Sequence, residues 1–427
     1  MIDVPPARRG EALRHRLHEL DVRLTRYHLP HLSAGRRLGF WLLAGALVLA
    51  LIGANLPSPL YVDYQHEYRF GPEMVTFIFA AYASGVLAAL LCLGRLSDHL
   101  GRRRVLAAGL SLDAVSTVLF LTANGVPMLF AARVVSGLAM GLVLGAATAA
   151  LAELEPHHDL GRAALVSGIA TLMGFGLGPI VSGVVADVAP SPTRLVFGVY
   201  LGVLVVAGVA VAAVPETVTS PDRRVSLRPV VAVPPGIRAR FVTAAIAIFC
   251  AFSVLGLYAG LVSYLLRDVL HNQSHSLAGT VVFALFACAA LSELFGQGLS
   301  GAHLLRAGSV LLVVTLGVVE LALGVANLGL LLVGTVIGGV AVGFTYMASL
   351  ARVNRMAPAS ERGAVLSALF VSAYCGFSIP VIGVGIGTQR VGSLEATAVA
   401  AAVIAALVVL ALVLSIRQEA SGGERPT

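Results

Sequence analysis

A few ionisable side chains stand inside long apolar stretches of this sequence, and they are the first candidates for chemistry. Arg133 is the one arginine deep in such a stretch, and Asp113, Glu293 and Glu320 are the acids; Glu153 and Asp187 lie nearer the ends of theirs. A guanidinium in apolar surroundings must face a cavity or find a carboxylate. A carboxyl there can load and release a proton. The chemistry this suggests is proton transfer rather than bond making. The sequence has no Walker A loop, no dinucleotide fingerprint and no G-x-S-x-G elbow, so ATP drive and enzymatic activity are not expected. Cys92, Cys250, Cys288 and Cys375 share no redox or metal-ligand spacing and read as small hydrophobes in helices. His157 and His158 read as solvated loop residues. No metal and no cofactor is expected.

The elements that must position these groups are membrane helices. The chain has 427 residues, 58% of them hydrophobic and 12% charged. Soluble domains carry about 25% charged residues, so this composition excludes an ordinary soluble enzyme and a disordered chain. Twelve apolar stretches are long enough to span a bilayer at ~20 residues each: 38–60, 74–94, 104–124, 127–151, 163–188, 195–214, 241–266, 277–298, 308–327, 329–350, 364–387 and 396–416. All 29 basic residues are arginine. With the N-terminus inside, 24 of them fall in cytoplasmic segments and four outside, at Arg69, Arg194, Arg267 and Arg390. By the positive-inside rule both termini are cytoplasmic. The net charge of +7 therefore anchors one membrane face and does not form a nucleic-acid patch. The arginine-only usage hints at a GC-rich genome and nothing further; the expected location is a bacterial cytoplasmic (inner) membrane.

The expected organisation is a basic cytoplasmic segment (1–37), a first six-helix bundle (38–214), a cytoplasmic linker (215–240), a second six-helix bundle (241–416) and a short tail (417–427). The first segment is too long and too charged for a signal peptide. Leu13, Leu17, Leu20 and Leu24 share a helical face, which fits a helix lying on the membrane or a solvated tail equally well. The halves read as a duplication. GRLSDHLGRRRVL after span 2 parallels QGLSGAHLLRAGSVL after span 8, and GRAALVSG after span 4 parallels ERGAVLSA after span 10. Pro179 then falls near Pro380.

Three motifs carry a resemblance. Gly94-Arg95-Leu96-Ser97-Asp98-His99-Leu100-Gly101-Arg102-Arg103-Arg104 follows span 2. It resembles motif A of the major facilitator superfamily. A glycine permits close helix approach, and an aspartate can cap a neighbouring helix N-terminus. The resemblance implies that Gly94, Asp98, Gly101, Arg102 and Arg103 latch the two halves in the outward-open state. In the second half Gly301 stands where the aspartate would be, which weakens any second latch. Leu129-x-x-x-Arg133-x-x-x-Gly137 is similar to motif B, whose arginine is linked to proton coupling. Ser136 and Ala139 depart from that pattern, and an arginine snorkelling to the interface is the competing reading. Gly174, Gly178, Pro179 and Gly183 in span 5 are similar to motif C, associated with exporters that exchange substrate for protons. A glycine-rich packing face would look the same.

The resemblance implies an all-α integral membrane protein of twelve helices in two pseudo-symmetric six-helix bundles, most like the twelve-span drug:proton antiporters. It also implies that spans 1, 4, 7 and 10 line the cavity, while spans 3 and 9 are peripheral. Asn55, Pro57, Pro59 and Tyr61, at the broken end of span 1, are candidate cavity residues. So are Tyr258 in span 7 and Tyr346 in span 10, with Ser253, Ser263, Tyr264 and Thr345 as lesser polar candidates. No carboxylate lies deep in spans 1, 4, 7 or 10, so the candidate proton carriers remain Asp113, Glu293 and Glu320. The expected activity is proton-coupled export of small amphipathic compounds by a monomer in the lipid bilayer. An importer or facilitator of a small metabolite is the alternative on the same fold, and a non-transporting membrane sensor or enzyme is a more distant one.

Overall fold

The computed structural model describes residues 30–93, 96–218, 232–358 and 361–420, without the side chains of residues 30–34 and of Asp98. Twelve helices in it are long and apolar enough to cross a membrane. They are α1 (Pro30–Asn55), α2 (Pro72–Leu93), α3 (Arg102–Leu121), α4 (Val126–Leu154), α5 (Leu160–Val188), α6 (Pro192–Ala213), α7 (Arg238–Asp268), α8 (His275–Phe295), α9 (Gly301–Gly324), α10 (Leu328–Met356), α11 (Arg362–Val391) and α12 (Ser393–Ala420). Two short helices, Tyr61–Tyr68 and Leu96–Leu100, lie between α1 and α2 and between α2 and α3. The proposed membrane-surface helix at Leu13–Leu24, Gly94, and residues 219–231 of the linker lie outside the described residues.

Local chemistry sets the helix ends. Side-chain oxygens of Asp159, Ser274, Ser300 and Asn327 accept the N–H of Arg162, Leu277, His303 and Leu330, capping α5, α8, α9 and α10. The apolar stretch of span 1 runs on to residue 60, but α1 stops at Asn55. Pro57 has no N–H to continue the ladder, and the Ser58 N–H turns back to the Asn55 carbonyl. That leaves the Ala54 carbonyl without its helical donor. At its start α7 reaches back to Arg238, preceded by a short 3-10 turn, so the linker is shorter than its apolar boundary suggested.

Lipid is as apolar as leucine, so the helices are held by close packing at small residues rather than by hydrophobic burial. In the first half α1 packs on α4, α5 and α6, α2 on α4, and α3 on α4 and α6; in the second, α7 packs on α10, α11 and α12, and α8 and α9 on α10. The same crossings recur. A Cβ on Gly178 or Gly174 would run into the α1 backbone, and one on Gly376 or Gly256 would do so between α7 and α11. Gly85 and Gly137 bring α2 against α4, and Gly339 and Gly343 bring α10 against α8. Pro179 and Pro380 interrupt the equivalent helices α5 and α11. These matched crossings are the structural form of the duplication.

The halves meet where α5 packs on α8 and α2 on α11. Because twelve is even, the described chain begins and ends on one side, the side that also holds the linker. That side is called the linker end here, and the opposite one the far end.

Candidate functional site

A cavity lies between the halves, enclosing about 740 Å³, part of it continuous with solvent. Its walls come from α1, α2, α4 and α5 on one side and from α7, α8, α10 and α11 on the other. Tyr82, Phe175, Phe252, Phe286, Tyr346, Tyr374 and Phe377 make it strongly aromatic. Their rings touch one another, as in the edge-on contact of Tyr374 with Phe377 at 6.3 Å. Asn55 forms part of the wall, its side-chain amide donating to the Phe175 carbonyl at 3.2 Å. Gly168, Thr171, Phe370 and Glu293 lie on the linker-end halves of their helices.

Glu293 is the one charged side chain in this lining. It is 5% exposed, packs against Gly168 of the other half, and leaves Oε1 without a hydrogen-bond partner. Any Cβ at residue 168 would collide with the carboxyl. Of the cavity residues expected from sequence, Asn55 and Tyr346 are in the wall. Tyr258 is not: its hydroxyl is hydrogen-bonded to Thr335 at 3.1 Å, and it lines a separate pocket within the second half, together with Glu320. Glu320 bonds Thr397 at 3.4 Å there. Ser253 and Thr345 are spent on carbonyls of their own helices. Pro57, Pro59 and Tyr61 are not in the lining; they shape the break after α1 and the surroundings of Arg133.

Arg133 does not snorkel. It is fully buried, in a second layer behind Tyr82. Its Nη1 donates to the freed Ala54 carbonyl at 2.7 Å. Its guanidinium carbon lies 5.0, 5.5 and 5.7 Å from the ring centroids of Tyr82, Phe79 and Tyr61, within cation–π range. Nε and Nη2 have no partner, nor do the hydroxyls of Tyr61, Tyr64 and Tyr82. Of the two expectations, a cavity or a carboxylate, neither describes this niche: among the described residues no carboxylate pairs with the cation, and rings and a carbonyl hold it. Gly137, one turn along, lets α4 approach α2 closely enough to set Tyr82 over the guanidinium.

Asp113 is also away from the cavity, as a residue of a peripheral helix should be. It is 3% exposed and meets the hydroxyl of Tyr200 on α6. The motif C residues divide between two faces: Gly174 and Gly178 meet α1, whereas Gly183 meets the His275 backbone and Gly279 of α8 meets the Pro179 carbonyl. The motif therefore packs the interface between the halves as well as its own bundle.

At the far end the halves are joined by polar contacts that sequence reasoning missed. The Asp187 carboxylate at the end of α5 accepts the backbone N–H groups of His275 and Ser276 at the start of α8, both at 2.9 Å, and the Ser274 hydroxyl. A helix N-terminus is a natural anion site. The His275 ring lies between Asp187, at 3.0 Å, and Asp63, at 3.4 Å. Arg267 meets His66, and Gln389 meets Glu73. At the linker end the motif A segment is clamped within its own half. Arg102 pairs with Glu153 at 2.9 Å and with the Ser97 hydroxyl at 2.6 Å. Glu216 accepts the N–H of Arg102 and Arg103, capping α3. Gly101 takes φ +97°, which a side chain would oppose. Glu153 is thus an ion-pair partner and not a free acid. In the α4–α5 turn, burial pushes the Glu155 carboxyl up, but the N–H groups of Asp159 and His157 outweigh it and hold it below the usual carboxylate range.

Residues 43–301 match the sequence profile of the Major Facilitator Superfamily. The chain belongs to this superfamily. Among curated relatives, the quinolone resistance protein NorA of Staphylococcus aureus is 26% identical over 143 residues, which is 34% of this chain and 37% of NorA. An uncharacterised MFS-type transporter of Methanocaldococcus jannaschii, MJ1560, is 25% identical over 154 residues, 36% of this chain and 40% of that protein. These matches thus take in less than half of either relative's length. The crystal structure of the human organic anion transporter MFSD10 (TETRAN) superposes with a TM-score of 0.64, covering 89% of this chain and 99% of that one at 16% identity. At that identity the likeness speaks for the fold. As a superfamily member with twelve such helices the protein is a multi-pass membrane protein, its two six-helix bundles set around a central cavity.

Proposed function

We propose that the protein exports small amphipathic compounds in exchange for protons by alternating access. The observation that carries this reading is the cavity, an aromatic chamber between two halves with a single carboxyl, Glu293, in its wall. Apolar and aromatic walls suit hydrophobic bodies. A lone carboxyl can hold a proton or attract a substrate cation, and the two compete. That competition is the elementary step of an exchange. The arginine bias assigns the linker end to the cytoplasm, so both termini lie inside and the cavity faces the cytoplasm. The far-end contacts of Asp187 and His275 are then the outer gate, which opens as one half rocks against the other. Motif A, with Asp98 capping a neighbouring helix, would hold the opposite state. The likeness to NorA supports efflux and a bacterial inner membrane, and a monomer suffices because the cavity lies within one chain.

Purified protein in liposomes, loaded with a fluorescent lipophilic amine and given an imposed pH gradient, tests the reading. Flux that reverses with the gradient is expected. Flux indifferent to it overturns the proton exchange. The direction in inverted vesicles separates an exporter from an importer or facilitator.

A further inference from the structure

We propose that Asp113 is a second proton-binding site, protonated in this conformation and coupled through Tyr200 to helix α1. The inference deepens the proton-exchange reading but stands on its own hydrogen-bond arithmetic. The Tyr200 hydroxyl oxygen lies 2.7 Å from the Ala50 carbonyl of α1 and 2.7 Å from Asp113 Oδ2 of α3. Tyrosine has one hydroxyl hydrogen, and a carbonyl has none to give. If Asp113 were a carboxylate, two acceptors would compete for that hydrogen. The loser would face an oxygen lone pair at hydrogen-bonding distance in a buried site, a costly arrangement. A carboxylic acid removes the conflict: Asp113 donates to Tyr200, and Tyr200 donates to Ala50.

The site is built for this contact. Tyr200 is 2% exposed, and neither it nor Asp113 lines the cavity. Gly53 leaves the room the tyrosine needs, because a Cβ there would overlap its hydroxyl and ring edge. The elements packed on Asp113 supply few other ionisable groups. Tyr200 comes from α6. Arg133 of α4 turns away to Ala54 and its aromatic rings. Helix α1 presents only its backbone, the Ala50 carbonyl and the Gly53 amide, to the Tyr200 hydroxyl, and Tyr82 of α2 is the remaining titratable group in electrostatic reach.

The consequence falls on α1. Ala50 and Ala54 are one helical turn apart on it. One carbonyl is held by the Asp113–Tyr200 pair and the other by Arg133. When the Asp113 O–H bond breaks and its proton passes to water, the Tyr200 hydrogen moves from the Ala50 carbonyl to the carboxylate. Ala50 then faces an oxygen with no hydrogen between them, and α1, which reaches the cavity at Asn55, is pushed to a new position. Reprotonation restores the grip. Glu293 and Asp113 would thus be separate proton sites, one exposed to substrate and one hidden from it.

Infrared difference spectra of the full-length protein in liposomes, recorded as pH is stepped upward, read protonated carboxyls directly. Asp113→Asn should remove one protonated-carboxyl band that Glu293→Gln leaves in place, and Tyr200→Phe should shift that band. A spectrum in which Asp113→Asn removes no band overturns the proposal. Asparagine mimics the neutral acid, so gradient-driven accumulation in that variant should fall about tenfold or more, while substrate exchange between compartments of equal pH continues. Undiminished gradient-driven accumulation in Asp113→Asn overturns the coupling. If Asp113→Asn does not fold, Gly53→Ala serves in its place, since it displaces the tyrosine and should shift the same band. A wild type with no response to pH gradients would refute proton exchange, yet the infrared result would still decide whether Asp113 holds a proton.

Discussion

Replacing Arg133 with methionine should abolish transport while barely changing stability. The structure allows both columns to be estimated. The substitution loses a charge-assisted hydrogen bond to Ala54, about 1.5–3 kcal/mol. It also loses three cation–π contacts, at about 1 kcal/mol each for rings at 5.0–5.7 Å. It recovers the cost of holding a guanidinium out of water, several kcal/mol, and of two buried donors, Nε and Nη2, that nothing satisfies. Losses and gains cancel to within about 2 kcal/mol. Methionine fills most of the same volume, so little cavity cost is added. At roughly 2–4 °C per kcal/mol or less for a chain of this size, the melting temperature in detergent should move by only a few degrees. Substrate flux should fall by about tenfold or more, and lysine should not restore it, because an ammonium cannot reach a carbonyl and three rings with one fork. Flux and melting curves on the same preparations decide the matter. A drop in melting temperature well beyond ten degrees (about 3 kcal/mol or more) would make Arg133 a structural strut and refute the reasoning. Normal flux would refute it from the other side.

Three further outcomes follow from the geometry. Gly178→Ala forces a Cβ against the Ile52 carbonyl and should cost about 1–3 kcal/mol, whereas Gly145→Ala, with nothing within 4 Å, should be neutral or slightly stabilising; thermal unfolding of the pair checks this. Glu293→Gln should reduce flux of a lipophilic cation about tenfold or more while sparing a neutral analogue, and equal losses for both would remove Glu293 from substrate recognition. Asp187→Asn weakens the hold on the first turn of α8 by about 1–3 kcal/mol, so spin labels at Ser191 and Glu395 should report a larger far-end-open fraction, and an unchanged distance distribution would show that the contact is not a gate.

Much of the frame was legible because lipid imposes it. Every backbone group must be bonded within its own helix, so a span announces itself by length and apolarity alone. Arg133 was legible for the same reason, since a charge in such a helix needs an explanation. Its partners were not. Ala54 becomes an acceptor only because the turn after Asn55 takes the Ser58 N–H away, and the rings that complete the niche come from two separate segments, Tyr61 from the short helix after α1 and Phe79 and Tyr82 from α2. The azimuth of a side chain is likewise set by neighbours. Tyr258 and Tyr346 are both tyrosines on helices expected to line the cavity, yet a hydroxyl on α10 draws the first into its own half. Tyr200 sits in the run Val-Phe-Gly-Val-Tyr, where nothing marks it as the partner of an acid 87 residues earlier. The far-end contact escaped notice because Asp187 and His275 belong to different halves.

The duplication provides the scaffold but not the chemistry, and the difference between the halves bears on mechanism. Arg133 and Thr335 occupy the same place along α4 and α10, counted from the helix starts at Val126 and Leu328. In the first half that position holds a buried cation on a broken α1. In the second it holds a hydroxyl paired with Tyr258 on α7, which runs unbroken from Arg238 to Asp268. An intact helix has no freed carbonyl in mid-span to offer a guanidinium, so the second half cannot host the same niche. The break after Asn55 and the buried charge are therefore one feature. A helix gripped through its carbonyls by a cation and by a tyrosine that answers to a carboxyl can be shifted by a single proton. A helix held by a neutral hydroxyl pair cannot. On the proposals made above, the first of two bundles built on the same crossings would be the one that senses protonation, and the second would present Glu293 to the substrate.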